Sequence, residues 1–266
     1  MIDLESICRQ TQEIAIEVGA FIKENQDKIN ANVIENKGTH DFVTFVDKTS
    51  EAKIIEALKP LIPEAGFIAE EGTETKTGAL YNWIIDPLDG TTNYIHGLSP
   101  FAVSIALKEG DKIVLGVVYE ISLSECFYSW EGAPAYLNDK VISVSKADTL
   151  EMSLVGTGFP YHNFAQLDNY MELLKHLCIN SQGVRRPGSA ATDLAYIACG
   201  RFDAFYEYSL QAWDVAAGAF LVQQAGGKVC DFLGENDYIF GQEIIASNSL
   251  NFTEFKNCVQ KFMLKS

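Results

Sequence analysis

The stretch from Phe101 to Ser145, FAVSIALKEGDKIVLGVVYEISLSECFYSWEGAPAYLNDKVISVS, alternates apolar and polar residues. Turn signals punctuate it at Glu109-Gly110-Asp111, Glu131-Gly132 and Asn138-Asp139. Alternation with period two sends successive side chains to opposite faces, so an antiparallel meander is expected. Such a sheet must bury an apolar face against other elements. Upstream, Leu4, Ile7, Thr11, Ile14, Val18 and Phe21 fall on one helical stripe. Phe42 to Val46 reads as a short β-rich segment running into Asp47, followed by a helix with Ile54, Ile55, Leu58 and Leu61 on one side and Pro63 at its end. GFIAEEG reads as a brief strand ending in Glu70 and Glu71, and YNWIID as the next strand.

The character of the chain changes near Thr149. From LVGTGFP onward strand and helix alternate: a helix over Gln166 to Cys178, another in SAATDLAYIACG ended by Gly200, a strand in FDAFYEY, a helix in AWDVAAGAFLVQQAGG and a strand in KVCDF. The expectation is an α+β half over 1–149 and an α/β half over 150–266, tightly packed because each sheet needs the other half's cover. A chain of 266 residues is long enough for that core.

A net charge of −16 argues against nucleic-acid binding through phosphates, which needs a basic surface. It leaves phosphorylated small molecules open, because bound divalent cations reverse the sign of a site. The N-terminus lacks the basic and apolar regions of a signal peptide, and no run is long enough to cross a bilayer. Six scattered cysteines without a C-x-x-C pattern read as reduced core thiols rather than disulfides or zinc ligands, which points to the cytoplasm. His40, His96, His162 and His176 never occur in metal-ligand spacing.

DPLDGTTNY, residues 86–94, puts two carboxylates three residues apart at the end of an apolar strand, with no Lys or Arg beside them in sequence. Pro87 pushes Asp86 toward an extended conformation, and Gly90 permits a sharp turn. Asp86 and Asp89 can then share one side, with the Leu88 carbonyl free to join them and Thr91 opening the next element. Such oxygen donors suit a hard cation such as Mg²⁺. The competing account is an Asp-Pro turn with an N-capping acid. Glu70, Asp47 and Asp214 are each acids at an element end beside apolar or aromatic residues, and each taken singly also reads as an N-cap or a solvated acid.

Taken together, WIIDPLDGTTNYIH (83–96), WDVAAG (213–218) with Gly226-Gly227, RRPGSAA (185–191), Glu70-Glu71 and Asp47 resemble the inositol monophosphatase family over nearly the whole chain. That family belongs with the lithium-sensitive, Mg²⁺-dependent phosphatases that include fructose-1,6-bisphosphatase. The resemblance implies a layered αβαβα sandwich, a homodimer, and hydrolysis of a phosphorylated polyol, with inositol 1-phosphate first. Fructose 1,6-bisphosphate, 3′-phosphoadenosine 5′-phosphate and histidinol phosphate are the alternatives within that chemistry. A regulatory protein that keeps the fold without catalysis is the alternative outside it.

By position, the resemblance implies that Glu70, Asp86 and the Leu88 carbonyl hold one Mg²⁺. Asp86, Asp89 and Asp214 hold a second, and a third rests on Glu70 and waters. Thr91 with Asp47 would orient or deprotonate the attacking water, and the Gly90 and Thr91 N–H groups would bind phosphate oxygens. Glu207 would accept hydrogen bonds from polyol hydroxyls, in a pocket lined by Gly188, Ser189 and Ala190. Arg186 reads as a contact to substrate, to a neighbouring subunit, or as a plain surface arginine. The resemblance stops at Thr157-Gly158-Phe159-Pro160, where some inositol phosphatases carry a serine-containing loop, so it leaves the polyol preference open.

Overall fold

Trp83, Ile85, Val103, Ile105 and Leu107 project to one side of a twisted sheet, and Ile84, Ala102 and Ala106 to the other. That period-two division sets the architecture, because both faces must be covered. The structure is a computed structural model that describes residues 2–26, 34–36, 42–74 and 76–264. His40 lies outside the described residues.

The large sheet has the order β3 (Gly66–Ala69), β4 (Tyr81–Asp89), β5 (Ala102–Glu109), β6 (Lys112–Glu120), β7 (Glu125–Trp130), β8 (Tyr136–Leu137), β9 (Lys140–Val141). β3 and β4 run parallel, and every later neighbour is antiparallel, so the expected meander is present from β5 to β9. Gly110, Gly132, Asn138 and Asp139 take positive φ at its turns, the conformation those residue types tolerate best. A two-stranded ribbon, β1 (Ile34–Asn36) with β2 (Phe42–Thr44), lies between the first two helices in sequence.

One face of the large sheet is covered by α1 (Leu4–Asn25) and α2 (Phe45–Leu58). Ile7, Thr11 and Val18 of the expected α1 stripe are buried, but Leu4, Ile14 and Phe21 only pack at its margin. Cys8, Ala15, Gly19 and Ile22 lie innermost instead. The small residues let the helix approach closely, and a Cβ on Gly19 would meet the Tyr119 ring at 2.4 Å. The segment expected to stay β-rich as far as Val46 is corrected too. The helix begins at Phe45, because Val46, Ser50, Ile54 and Leu58 recur every four residues on its buried side. Asp47 therefore sits in the first helical turn and not at a strand end.

The other face meets α5 (Ala190–Ala198) and α6 (Ala212–Gln224), which also contact the inner face of a second sheet through Phe205, Val229, Ile244 and Ala246. That sheet has the order β11 (Gly183–Arg185), β10 (Leu154–Thr157), β12 (Ala204–Tyr208), β14 (Glu243–Ser247), β13 (Lys228–Cys230). Its outer face packs on α4 (Leu167–Asn180) and α7 (Phe252–Met263) through Tyr170, Leu173, Tyr206, Phe255 and Val259. The result is an αβαβα sandwich, as expected. β11, β14 and α7 were not anticipated, although Phe255, Val259 and Met263 recur every four residues as a buried stripe. All six cysteines are free; Cys8, Cys126 and Cys230 are buried, whereas Cys178 is exposed and is not a core thiol. No described helix is long and apolar enough to cross a membrane.

Candidate active site

In an unbroken strand, residues three apart face opposite sides. Asp86 pairs with Ser104 and Asp89 with Ala102, so β4 takes three steps where β5 takes two. The extra residue is a bulge, and it brings both carboxylates to one side. Across Pro87, the Leu88 N–H donates to Asp86 Oδ1 at 2.9 Å. Gly90 then takes φ +90°, and a five-residue helix, α3 (Thr91–Ile95), starts immediately. The Thr91 hydroxyl donates to the Leu88 carbonyl at 2.9 Å.

Asp214 reaches the same point from the other half. It lies in the first turn of α6, where its Oδ2 accepts the Gln211 N–H at 2.7 Å. Ser104, the register partner of Asp86, donates its hydroxyl to the Trp213 carbonyl at 3.1 Å, which fastens the start of α6 to β5. Asp86, Asp89 and Asp214 consequently offer carboxylate oxygens that all lie within 4.8 Å of one another. Asp89 Oδ2 is held by the Ser189 hydroxyl at 2.6 Å and the Ala191 N–H at 2.7 Å.

This convergence is electrostatically costly without a cation. Burial, then Glu70, Asp89 and Asp214, push the Asp86 carboxyl well above the ordinary range. Burial lifts Asp89 to about 6 against the opposing donors Ser189, Ala191 and Gly90. Three oxygen donors in a partly buried cluster whose charges oppose one another fit a hard divalent cation, which would remove that opposition.

The acids form one wall of a cleft of about 350 Å³. Glu70, in the turn after β3, and Leu88, Gly90, Thr91, Arg186, Gly188, Ser189, Ala190 and Glu207 also line it. Asp47 is buried and is not among the cleft-lining residues. Arg186 is exposed, donates to the Tyr161 hydroxyl at 3.0 Å, and lies over the rings of Phe159 and Tyr161 at 5.7 and 5.9 Å. Glu207 is 6% exposed, and burial, then Asp214 and Asp89, hold its carboxyl far above the usual range.

Asp193, which lines the cleft, and Asn93, which does not, carry contacts that the motifs do not reveal. Asp193 is 1% exposed, and its Oδ1 has no hydrogen-bond partner among the described residues. Burial, then Glu207 and Asp89, raise its carboxyl. An acid inside the apolar run SAATDLAY was the available signal. Asn93 donates to both the Pro100 and Pro187 carbonyls at 2.8 Å, tying α3 to the loop that carries Arg186 and Gly188. Its place inside DGTTN gave no hint of so distant a contact.

The model of the inositol monophosphatase family matches residues 3–262. The chain is 40% identical over 247 residues to the Nus factor SuhB of Pseudomonas aeruginosa, covering 91% of each. It is 35% identical over 255 residues to the inositol-1-monophosphatase of Mesorhizobium japonicum, covering 96% of this chain and 93% of that one. The crystal structure of the extragenic suppressor protein suhB from Bartonella henselae matches with a TM-score of 0.91 and 36% identity, over 96% of this chain and 99% of that one.

Proposed function

The chain belongs to the inositol monophosphatase family, and from that premise we propose that it is a Mg²⁺-dependent phosphomonoester hydrolase whose preferred ester is inositol 1-phosphate. The observation that carries the reading is the convergence of Asp86, Asp89 and Asp214 within 4.8 Å at the wall of a cleft. Glu70, Asp86 and the Leu88 carbonyl would hold one ion, Asp86, Asp89 and Asp214 a second, and Glu70 a third. When bound, the ions supply charge neutralisation and a water acidic enough to attack phosphorus near neutral pH.

The chain's own groups do the rest. The Gly90 and Thr91 N–H groups hold phosphate oxygens at the start of α3. The Thr91 hydroxyl proton rests on the Leu88 carbonyl, so a relay toward Asp47 requires it to leave that acceptor. As water adds to phosphorus, the ester P–O bond breaks and the alcohol departs with a proton, giving inositol and phosphate. Glu207 accepts hydroxyls of the leaving alcohol, and Arg186 with the Gly188–Ala190 loop borders the same space. Halves 1–149 and 150–266 act as one unit, and the working assembly is a cytoplasmic homodimer.

The test is phosphate release from inositol 1-phosphate, fructose 1,6-bisphosphate, 3′-phosphoadenosine 5′-phosphate and histidinol phosphate, with and without Mg²⁺. The highest kcat/KM should fall on inositol 1-phosphate, and only with Mg²⁺. A higher value on another ester reassigns the substrate. A second reading, a regulatory protein, rests on the greater identity to a relative named Nus factor, 40%, than to one named inositol-1-monophosphatase, 35%. Absence of hydrolysis on every ester would favour it.

A further inference from the structure

Thr157 pairs with Tyr206 in the parallel ladder of β10 and β12, so Gly158, the first residue past β10, comes beside Glu207, which is still in β12 and paired with Ile244 of β14. There the two chains are unusually close. A Cβ on Gly158 would stand 2.1 Å from Glu207 Oε1 and 2.2 Å from both Cδ and Oε2. Gly158 is not among the glycines with positive φ, so its backbone suits any residue. What glycine supplies here is the missing side chain.

The segment beneath the carboxylate is also firmly held. Tyr170, fully buried on α4, donates its hydroxyl to the Gly158 carbonyl at 2.6 Å. The Thr157 hydroxyl lies 2.9 Å from the Tyr206 carbonyl and directly against the Tyr170 hydroxyl. These groups are sealed from water, where hydrogen bonds are strongest. Gly158 cannot retreat, because its carbonyl is tied from below, so an added side chain must move the Glu207 carboxylate, the end of a side chain that is 6% exposed.

We propose that Gly158 is a specificity-determining position and Tyr170 its positioning residue: Gly158 is the seat on which the Glu207 carboxylate lies, turned toward the leaving alcohol. The proposal rests on the reading of Glu207 as the hydroxyl acceptor. It assigns a role to Thr157-Gly158-Phe159-Pro160, the segment at which the family resemblance stopped. A side chain at 158 displaces that carboxylate without touching Asp86, Asp89 or Asp214.

The experiment measures kcat and KM on inositol 1-phosphate and p-nitrophenyl phosphate, which has no hydroxyls, for Gly158→Ala, Glu207→Ala, the double variant and Tyr170→Phe. The readout is the ratio of kcat/KM between the two esters. Gly158→Ala should lower that ratio about ten-fold, mainly through KM, the scale of one hydrogen bond to a charged group. Glu207→Ala should lower it by at least as much. Adding Gly158→Ala to Glu207→Ala should then cost nothing further and should restore any lost melting temperature, because the new methyl fills vacated space. Tyr170→Phe, which keeps the ring, should lower the ratio about three-fold. If Glu207→Ala lowers the ratio and Gly158→Ala does not, or if their costs multiply, the seat is overturned while the acceptor reading stands. If Glu207→Ala leaves the ratio intact, the acceptor reading fails and the proposal with it. Should Gly158→Ala fail to fold, a folded double variant supports the clash and an unfolded one overturns it.

Discussion

Ser189 donates its hydroxyl to Asp89 Oδ2 at 2.6 Å, and its own Oγ accepts the Thr192 N–H at 3.3 Å as the N-cap of α5. One side chain thus starts a helix between the two sheets and fixes an acid on β4. Ser189→Ala removes both contacts but leaves the Ala191 N–H on Asp89. Loss of such a cap costs about 1 kcal/mol, or roughly 2–4 °C in melting temperature for a chain of this size. Mg²⁺ affinity measured by calorimetry should weaken as well. Unchanged affinity would mean that Ala191 alone fixes Asp89.

Asp86→Asn keeps the shape of the side chain and removes the charge at the centre of the cluster. The protein should fold, since Asn retains the acceptor for the Leu88 N–H. Phosphate release should nearly vanish at all Mg²⁺ concentrations. A folded variant with full activity would eliminate the two-ion assignment.

The acidic cleft predicts a particular coupling between pH and Mg²⁺. Asp89 is raised from 3.8 to about 6, and Asp193 and Glu207 are raised from 3.8 and 4.5, all chiefly by burial. A folded carboxyl with a raised pKa binds its proton more tightly than the unfolded chain does. Stability from these groups is therefore full below about pH 4 and declines as pH rises through 6 and beyond. A bound cation takes over from the protons. The rise in melting temperature on adding Mg²⁺ should consequently be larger at pH 7.5 than at pH 5. An equal rise at both would show that the acids are ionised without the ion.

Gly116 on β6 sits under α6, where a Cβ would meet the Ala217 carbonyl at 2.9 Å and the Phe220 ring at 3.3 Å. Gly116→Val should lift the helix and cost about 1–3 kcal/mol, as overpacking does. Because Asp214 rides on the first turn of that helix, the Mg²⁺ concentration for half-maximal rate should rise together with the loss of melting temperature. Lost stability with an unshifted Mg²⁺ dependence would mean that the far end of α6 absorbs the strain.

The parts of this molecule that sequence reveals are those decided over a few residues. Strict alternation and Gly or Asn-Asp turns made β5 to β9 legible, and DPLDGTT announced its acids by lacking basic neighbours. Contacts between remote segments were not legible. Val43 to Val46 has the β-branched look of a strand, yet Val46 begins a helix stripe completed only against the large sheet. β14 carries a five-residue run too short to declare itself, and its place between β12 and β13 is a matter of topology. Asp193 and Asn93 acquire meaning only when α5 and the loop before it cross to β4. The pressure of Gly158 on Glu207 joins residues 49 positions apart, as the Thr157–Tyr206 contact records.

The bulge in β4 has a genetic consequence. An unbulged strand with two acids two residues apart would also turn both to one face, so side-chain placement alone did not demand the additional residue. What that residue adds is a main-chain oxygen: Pro87 and Leu88 have no register partner on β5, and the Leu88 carbonyl, outside the ladder, accepts the Thr91 hydroxyl in a turn that lines the cleft. Every amino acid carries that same carbonyl. A substitution scan should therefore score position 88 by how well its buried side chain is replaced, and conservative exchanges should be silent in the chemistry. Removal of the single codon should leave both aspartates in place and still abolish the donor, a lesion that no amino-acid replacement at this position reproduces.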